Sequence, residues 1–219
     1  MSSPYSVKPR IRFFLYVAAA GVAAFAILAV LIATRSPLVQ LDTSLADRFY
    51  HLANDRPWIW HTFIFITNLG AGRPLYYVGA VAVLYWLVRG EVLLALLWTA
   101  WQLASRPVTP GLKLQFARQR PEFAHLDDFS FPSGHAFGSA LVYGLIAYLL
   151  WRVWAGSRWR SPIVTALLVW IGLIALSRMM LGVHHLSDVV AGVSLGIAYA
   201  AVLAAITEWW LGRRSRPRI

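Results

Sequence analysis

Hydrophobic residues in this chain gather into long runs instead of alternating with polar ones. Residues 13–34 form the first, twenty-two residues without a charge. As a helix rising about 1.5 Å per residue it extends roughly 33 Å, enough to cross a bilayer core. Lys8, Arg10 and Arg12 precede it, as in a signal peptide. A signal core is only about 7–15 residues long, however, and no small-x-small cleavage site closes this run, so a retained membrane helix is expected. Further runs cover 72–88, 92–109, 133–154, 162–181 and 187–211. Arg89-Gly90-Glu91 makes a hairpin turn between the second and third, and Arg152, Arg158 and Arg160 lie between the fourth and fifth. Residues 58–69 are apolar but short for a span, which suits an interfacial or re-entrant segment. The pattern predicts an all-α integral-membrane bundle of six transmembrane helices, one domain over residues 1–219.

Six spans place both termini on one side. That side, with the Arg89 turn, the 152–160 loop and the C-terminal Arg213, Arg214, Arg216 and Arg218, holds eleven of the twenty basic residues. The bias puts both termini in the cytoplasm, the chain in the inner (cytoplasmic) membrane, and segments 35–71, 106–132 and 182–186 on the outer, periplasmic face. The arginine-rich tail is expected to meet anionic headgroups. Composition agrees: 59% of residues are hydrophobic and 13% charged, more apolar than a soluble domain. A net charge of +11 raises the possibility of nucleic acid. The arginines stand at the ends of apolar runs, not on an amphipathic face, and no nucleic-acid partner is expected. With no cysteine, disulfides and thiolate metal sites are excluded. Most of the eleven tryptophans lie near span ends, as an interfacial belt requires.

Charges at a membrane edge are costly and point to function. Three groups fall on the outer side: Lys113 with Arg120-Pro121; Pro132-Ser133-Gly134-His135 at the start of the fourth span; and Ser177-Arg178, followed by His184 and Asp188. Lys113, Arg120 and Arg178 offer cations, arginine being suited to bidentate contact with phosphate. Ser133 and Gly134 place a hydroxyl and backbone N–H groups at a helix start, a natural anion site. His184 and Asp188 are four apart, so on a helix the carboxylate lies beside the imidazole, fixes its tautomer and leaves the other nitrogen basic for attack. His185, three before Asp188, is the competing partner. His135 is then free to protonate a leaving oxygen. His125, Asp127 and Asp128 read as a solvated acidic rim.

The three groups together resemble the signature of the type-2 phosphatidic acid phosphatase superfamily, which includes lipid phosphatases, glucose-6-phosphatase and the vanadium haloperoxidases. Lys113 through Pro121, Pro132 through His135 and Ser177 through Asp188 fit each internal spacing, while the loop 122–131 is slightly short for the pattern. The resemblance implies that His184 is the nucleophile of a phosphohistidine mechanism, Asp188 its orienting group and His135 the general acid. It implies that Lys113, Arg120, Ser133, Gly134 and Arg178 hold the phosphate oxygens. Three cations and helix N–H groups take the role of a metal ion, so no metal or other cofactor is expected. The expected partner is a phosphorylated membrane lipid: undecaprenyl pyrophosphate, phosphatidylglycerol phosphate, phosphatidic acid or a lipid A phosphate. The alternatives are a lipid-to-lipid phosphotransferase using the same intermediate and a non-enzymatic phospholipid transporter. Oligomeric state is open.

Overall fold

The structure is a computed structural model that describes residues 7–214; Arg216 and Arg218 lie outside the described residues. Nine helices and no strand occur among those residues: α1 (Val7–Ala33), α2 (Leu38–Asn54), α3 (Pro57–Leu69), α4 (Gly72–Val88), α5 (Val92–Ser105), α6 (Val108–Phe116), α7 (Gly134–Val153), α8 (Arg160–Met180) and α9 (Leu186–Arg214). Segments of α1, α7, α8 and α9 are each long and apolar enough to cross a membrane, and α3 with α4 forms a fifth candidate bent by 45°. The short apolar segment at 58–69 is therefore a helix in series with α4. The bend falls at Gly70, where a Cβ would lie 2.3 Å from the Ile174 side chain. The expected run 92–109 divides into α5 and α6 at Arg106-Pro107, because proline offers no N–H to continue the helical ladder.

Helix α7 is the centre of the bundle, packed mainly between α8 and α9, while α1 runs along α9. Its buried residues include Phe137, Leu141, Leu145 and Leu149. Small residues set how closely α9 approaches. A Cβ at Gly192 would come 2.5 Å from the Ser133 carbonyl oxygen, and one at Gly196 would come 2.4 Å from that of Phe137. The Gly192-x-x-x-Gly196 spacing thus lets α9 lie directly on the α7 backbone, as close helix contacts in membranes require. On the α1 side, Gly21 meets the Ser194 carbonyl at 2.5 Å in the same sense.

Ion pairs identify one end of the bundle. Buried Glu208 of α9 accepts from Tyr148 (2.9 Å) and Arg152 (2.6 Å) of α7, and Arg10 of α1 lies 3.7 Å away. Arg214 pairs with Glu91 in the α4–α5 turn at 2.9 Å. The start of α1, the α4–α5 turn, the end of α7 and the end of α9 therefore share an end. Lys113, Arg120, Asp128, His184 and Asp188 gather at the other.

The glycine contacts give a direct test. Gly196→Ala should lower stability by about 1–3 kcal/mol through overpacking, read as a fall in the unfolding temperature in detergent. Gly172→Ala, whose Cβ would meet nothing within 4 Å, should not; equal unfolding temperatures for both variants would contradict the packing account.

Candidate active site

The site is built where α6, α8 and the starts of α7 and α9 converge. Ser133 caps α7, its hydroxyl accepting from the Ala136 N–H at 3.5 Å. Its own N–H donates to the Asp188 carbonyl at 3.0 Å, tying the start of α7 to the start of α9. Gly134 and His135 occupy the first turn of α7, so their N–H groups have no intrahelical acceptor and the positive end of the helix faces the site. At the end of α8 the chain turns through Gly182, in the left-handed region with φ +64. Glycine takes this conformation readily. Here it also leaves room for Tyr50, whose ring would lie 2.5 Å from a Cβ. This turn carries His184 into the site before α9 begins at Leu186, so His184 and Asp188 are not on one continuous helix as the spacing suggested.

His184 is 2% exposed on its side chain. Its Nε2 lies 3.3 Å from Arg120 Nη1, and its Nδ1 faces Asp188 Oδ2 at 3.5 Å without a formed hydrogen bond, a buried nitrogen left without a partner. The same Oδ2 accepts from the His185 backbone N–H at 2.9 Å and lies 3.2 Å from His185 Nδ1. His185 is thus the nearer imidazole, and both histidines share one carboxylate oxygen. The two differ in what their rings face: His184 has the Arg120 guanidinium on its far side. Burial lowers the His184 pKa from 6.5 to about 4, with the Asp188 carboxylate opposing the shift.

The cations form a cage. Arg120 donates to the Val183 carbonyl (2.6 Å) and, from Nε and Nη2, to Asp128 Oδ1 (3.0 and 2.6 Å). Lys113, in the last turn of α6, donates to the other oxygen of the same carboxylate. The Asp128 side chain is 56% exposed, as the rim reading expected, but it also reaches into the cage. It pairs with both Lys113 and Arg120, at the tip of a loop closed by Ser130, which donates to the Arg118 carbonyl at 2.9 Å. Partial burial pushes the Asp128 pKa up, but hydrogen bonds from Lys113 and Arg120 outweigh it and hold the carboxyl below its usual range. Arg178 is buried and donates to Thr67 at 2.7 Å, while its Nε has no partner. His135 lies within electrostatic reach of Arg178, His184, Lys113 and Arg120. It also borders a cavity of about 560 Å³ that extends between α4, α5 and α7 past Leu75, Tyr76, Val83 and Leu103.

All eight residues singled out from the sequence thus meet at one end of the bundle. Sequence reasoning missed Arg118, Asp42, Ser187 and Thr67. Arg118 donates to Asp188 Oδ1 (2.6 Å), to the Ser187 hydroxyl (2.6 Å) and to Asp42 Oδ2 (2.8 Å). Only its place two residues before Arg120 hinted at a role.

The arrangement offers an anion cage beside an imidazole whose other nitrogen faces a carboxylate. A profile described as the PAP2 superfamily matches residues 50–211. The chain belongs to the PAP2 superfamily. Among PAP2 relatives, phosphatidylglycerophosphatase B of Bacillus subtilis (strain 168) is 34% identical over 149 residues, 65% of this chain and 72% of that protein. Sphingosine-1-phosphate phosphatase 1 of Mus musculus is 24% identical over 155 residues, 69% of this chain but 30% of that protein's length. A crystal structure of a transmembrane PAP2 type phosphatidylglycerolphosphate phosphatase from Bacillus subtilis superposes with a TM-score of 0.74 at 25% identity, covering 91% of this chain and 99% of that one. This PAP2 chain is a phosphatase, a hydrolase set among membrane helices.

The His184 environment predicts a titration. In substrate-free protein, histidine NMR should show the His184 ring neutral at pH 6 and protonating near pH 4. Because its folded-state pKa lies below the unfolded value of 6.5, the unfolded chain takes the proton first. This group's contribution to stability therefore falls as pH drops from 6.5 towards 4. A midpoint near 6.5 would show that the ring is not buried as described.

Proposed function

We propose that this PAP2 protein is a membrane lipid phosphatase that hydrolyses a phosphomonoester or pyrophosphate of a lipid through a phosphohistidine on His184, without a metal ion. The observation that carries the reading is the orientation of His184: Nδ1 faces buried Asp188, and Nε2 faces Arg120 in the cation cage. The cavity beside His135 supports a lipid substrate, since its apolar wall between α4, α5 and α7 suits a chain that stays in the bilayer while the headgroup reaches the cage. The relatives named above support phosphatidylglycerol phosphate as one substrate class, beside undecaprenyl pyrophosphate, phosphatidic acid and a lipid A phosphate.

In this mechanism a small approach of Asp188 lets it accept from His184 Nδ1–H, which stands 3.5 Å away without a partner, and leaves Nε2 as the nucleophile. Nε2 attacks phosphorus, the bond from phosphorus to the leaving oxygen breaks, and His135 gives that oxygen its proton. Water, its proton taken by His135, then attacks the phosphohistidine; the N–P bond breaks, and phosphate and free His184 result. Lys113, Arg120, Arg178 and the first-turn N–H groups of α7, with Ser133 and Gly134, hold the phosphoryl oxygens and offset their charge. The unpartnered Nε of buried Arg178 suits this task, because a buried donor without an acceptor is costly until an anion supplies one.

In the membrane, α1, the bent α3–α4 pair, α5, α7, α8 and α9 serve as six spans. The Glu208 end faces the cytoplasm with both termini, and the site faces the periplasm.

The decisive assay is phosphate release by purified protein in detergent from the four lipid classes. At least one should be hydrolysed, and His184→Ala should lose turnover by about a thousandfold or more, the scale of losing a catalytic nucleophile. Wild-type-like release by that variant, or phosphate moved to an acceptor lipid with little released, would overturn the reading. Activity should survive EDTA, and vanadate should inhibit by mimicking the five-coordinate phosphoryl group. A strict need for a divalent ion, or indifference to millimolar vanadate, counts against the mechanism.

A further inference from the structure

Asp188 has no exposed surface, so its charge must be met entirely by protein donors. Its two oxygens are divided. Oδ2 faces both histidines and the His185 N–H. Oδ1 accepts from Arg118 Nη1 at 2.6 Å. Pinning Oδ1 fixes the rotation of the carboxylate, and only that rotation turns Oδ2 towards His184. Arg118 is itself fixed. Its Nη2 donates to Asp42 Oδ2 at 2.8 Å, and both side chains of this pair are 8% exposed. Asp42 also accepts the Ser187 N–H at 3.0 Å, at the start of α9, and pairs with the Ser187 hydroxyl. Asp42 is on α2 and lies outside residues 50–211, the stretch matched by the family profile. Arg118 follows Ala117, which ends α6 in the left-handed conformation at φ 45. A non-glycine residue held there costs of order 1 kcal/mol, and the turn aims the guanidinium inward.

We propose that Asp42 and Arg118 are positioning residues for the reaction: the Asp42–Arg118 ion pair sets the orientation of the Asp188 carboxylate, and through it the His184 imidazole. Helix α2 is then part of the reacting machinery and not only a cover over it. Neither residue reaches the cation cage, whose ligands to the phosphoryl group are Lys113, Arg120 and Arg178. Losing the pair therefore disturbs the nucleophile and spares anion binding. This inference rests on the reading of His184 as nucleophile.

The test is steady-state kinetics on the full chain in detergent, with a lipid phosphate the wild type hydrolyses, for Asp42→Asn, Arg118→Met and Arg118→Lys. Unfolding temperature is measured for each. The expected result is a fall in kcat of about 10- to 100-fold for Asp42→Asn and Arg118→Met, the scale of a misplaced reacting group. KM should stay within about 2-fold, while vanadate, which reads the five-coordinate geometry at His184, should inhibit more weakly in step with the loss of kcat, and Arg118→Lys should recover part of kcat. A loss that falls on KM, or a drop in unfolding temperature with wild-type kcat per folded molecule, would show a merely structural pair and overturn the proposal. Should Arg118→Met not fold, the near-isosteric Asp42→Asn decides alone: unchanged kcat there also overturns it. Dead His184→Ala beside a fully active Asp42→Asn sinks only this inference, whereas an active His184→Ala sinks the reading beneath it.

Discussion

A carboxylate without water around it governs the active end of this molecule. Asp188 is buried, and an isolated charge in such a place is strongly unfavourable. Its oxygens accept from Arg118 and from the His185 N–H, and they face both histidine rings. Each partner comes from a different part of the chain, so satisfying one charge brings together the segment after α6, the turn after α8 and the start of α9. The Asp188 carbonyl adds the start of α7 by accepting the Ser133 N–H. The cations Lys113, Arg120 and Arg178 are arranged around this knot.

Close helix contact makes the knot possible. The Ser133–Asp188 backbone bond requires the first turns of α7 and α9 to lie almost in contact, and Gly192 and Gly196 are the positions where any side chain would prevent it. In a bilayer the exclusion of water drives helices together less than it does in solution, so tight van der Waals fit carries more of the association. The same glycines that hold the fold therefore set the geometry of the chemistry.

The helices were legible because membrane spans leave long apolar runs, and the site was legible because charges in such a chain are few and expensive. Lys113, Arg120, Ser133, His135, Arg178, His184 and Asp188 fall at motif spacings that chance seldom assembles in order. What the sequence concealed depends on contacts across distance. Asp42 meets Arg118 across 76 positions, and nothing near Asp42 marks it as more than a charge in the segment 35–71. Asp128 is exposed, as its polar neighbours suggested, but spacing did not show that it pairs with cations from α6 and the segment just after it. The order of preference between His184 and His185 also escaped the spacing rule: the turn at Gly182 keeps both residues off the helix, so distance along α9 does not apply. The division of 92–109, by contrast, was written in Pro107.

Asp128 gives the cation cage an occupant of its own. Tethered a few residues from Arg120, this carboxylate is present at high effective concentration and never diffuses away. With Lys113 and Arg120 in their proposed role, a free anion that enters, reactant or product, exchanges with it instead of filling an empty site. Such an exchange weakens the grip on released inorganic phosphate as much as on the incoming headgroup. The cage can therefore carry a strong positive field and still let go of what it has cut.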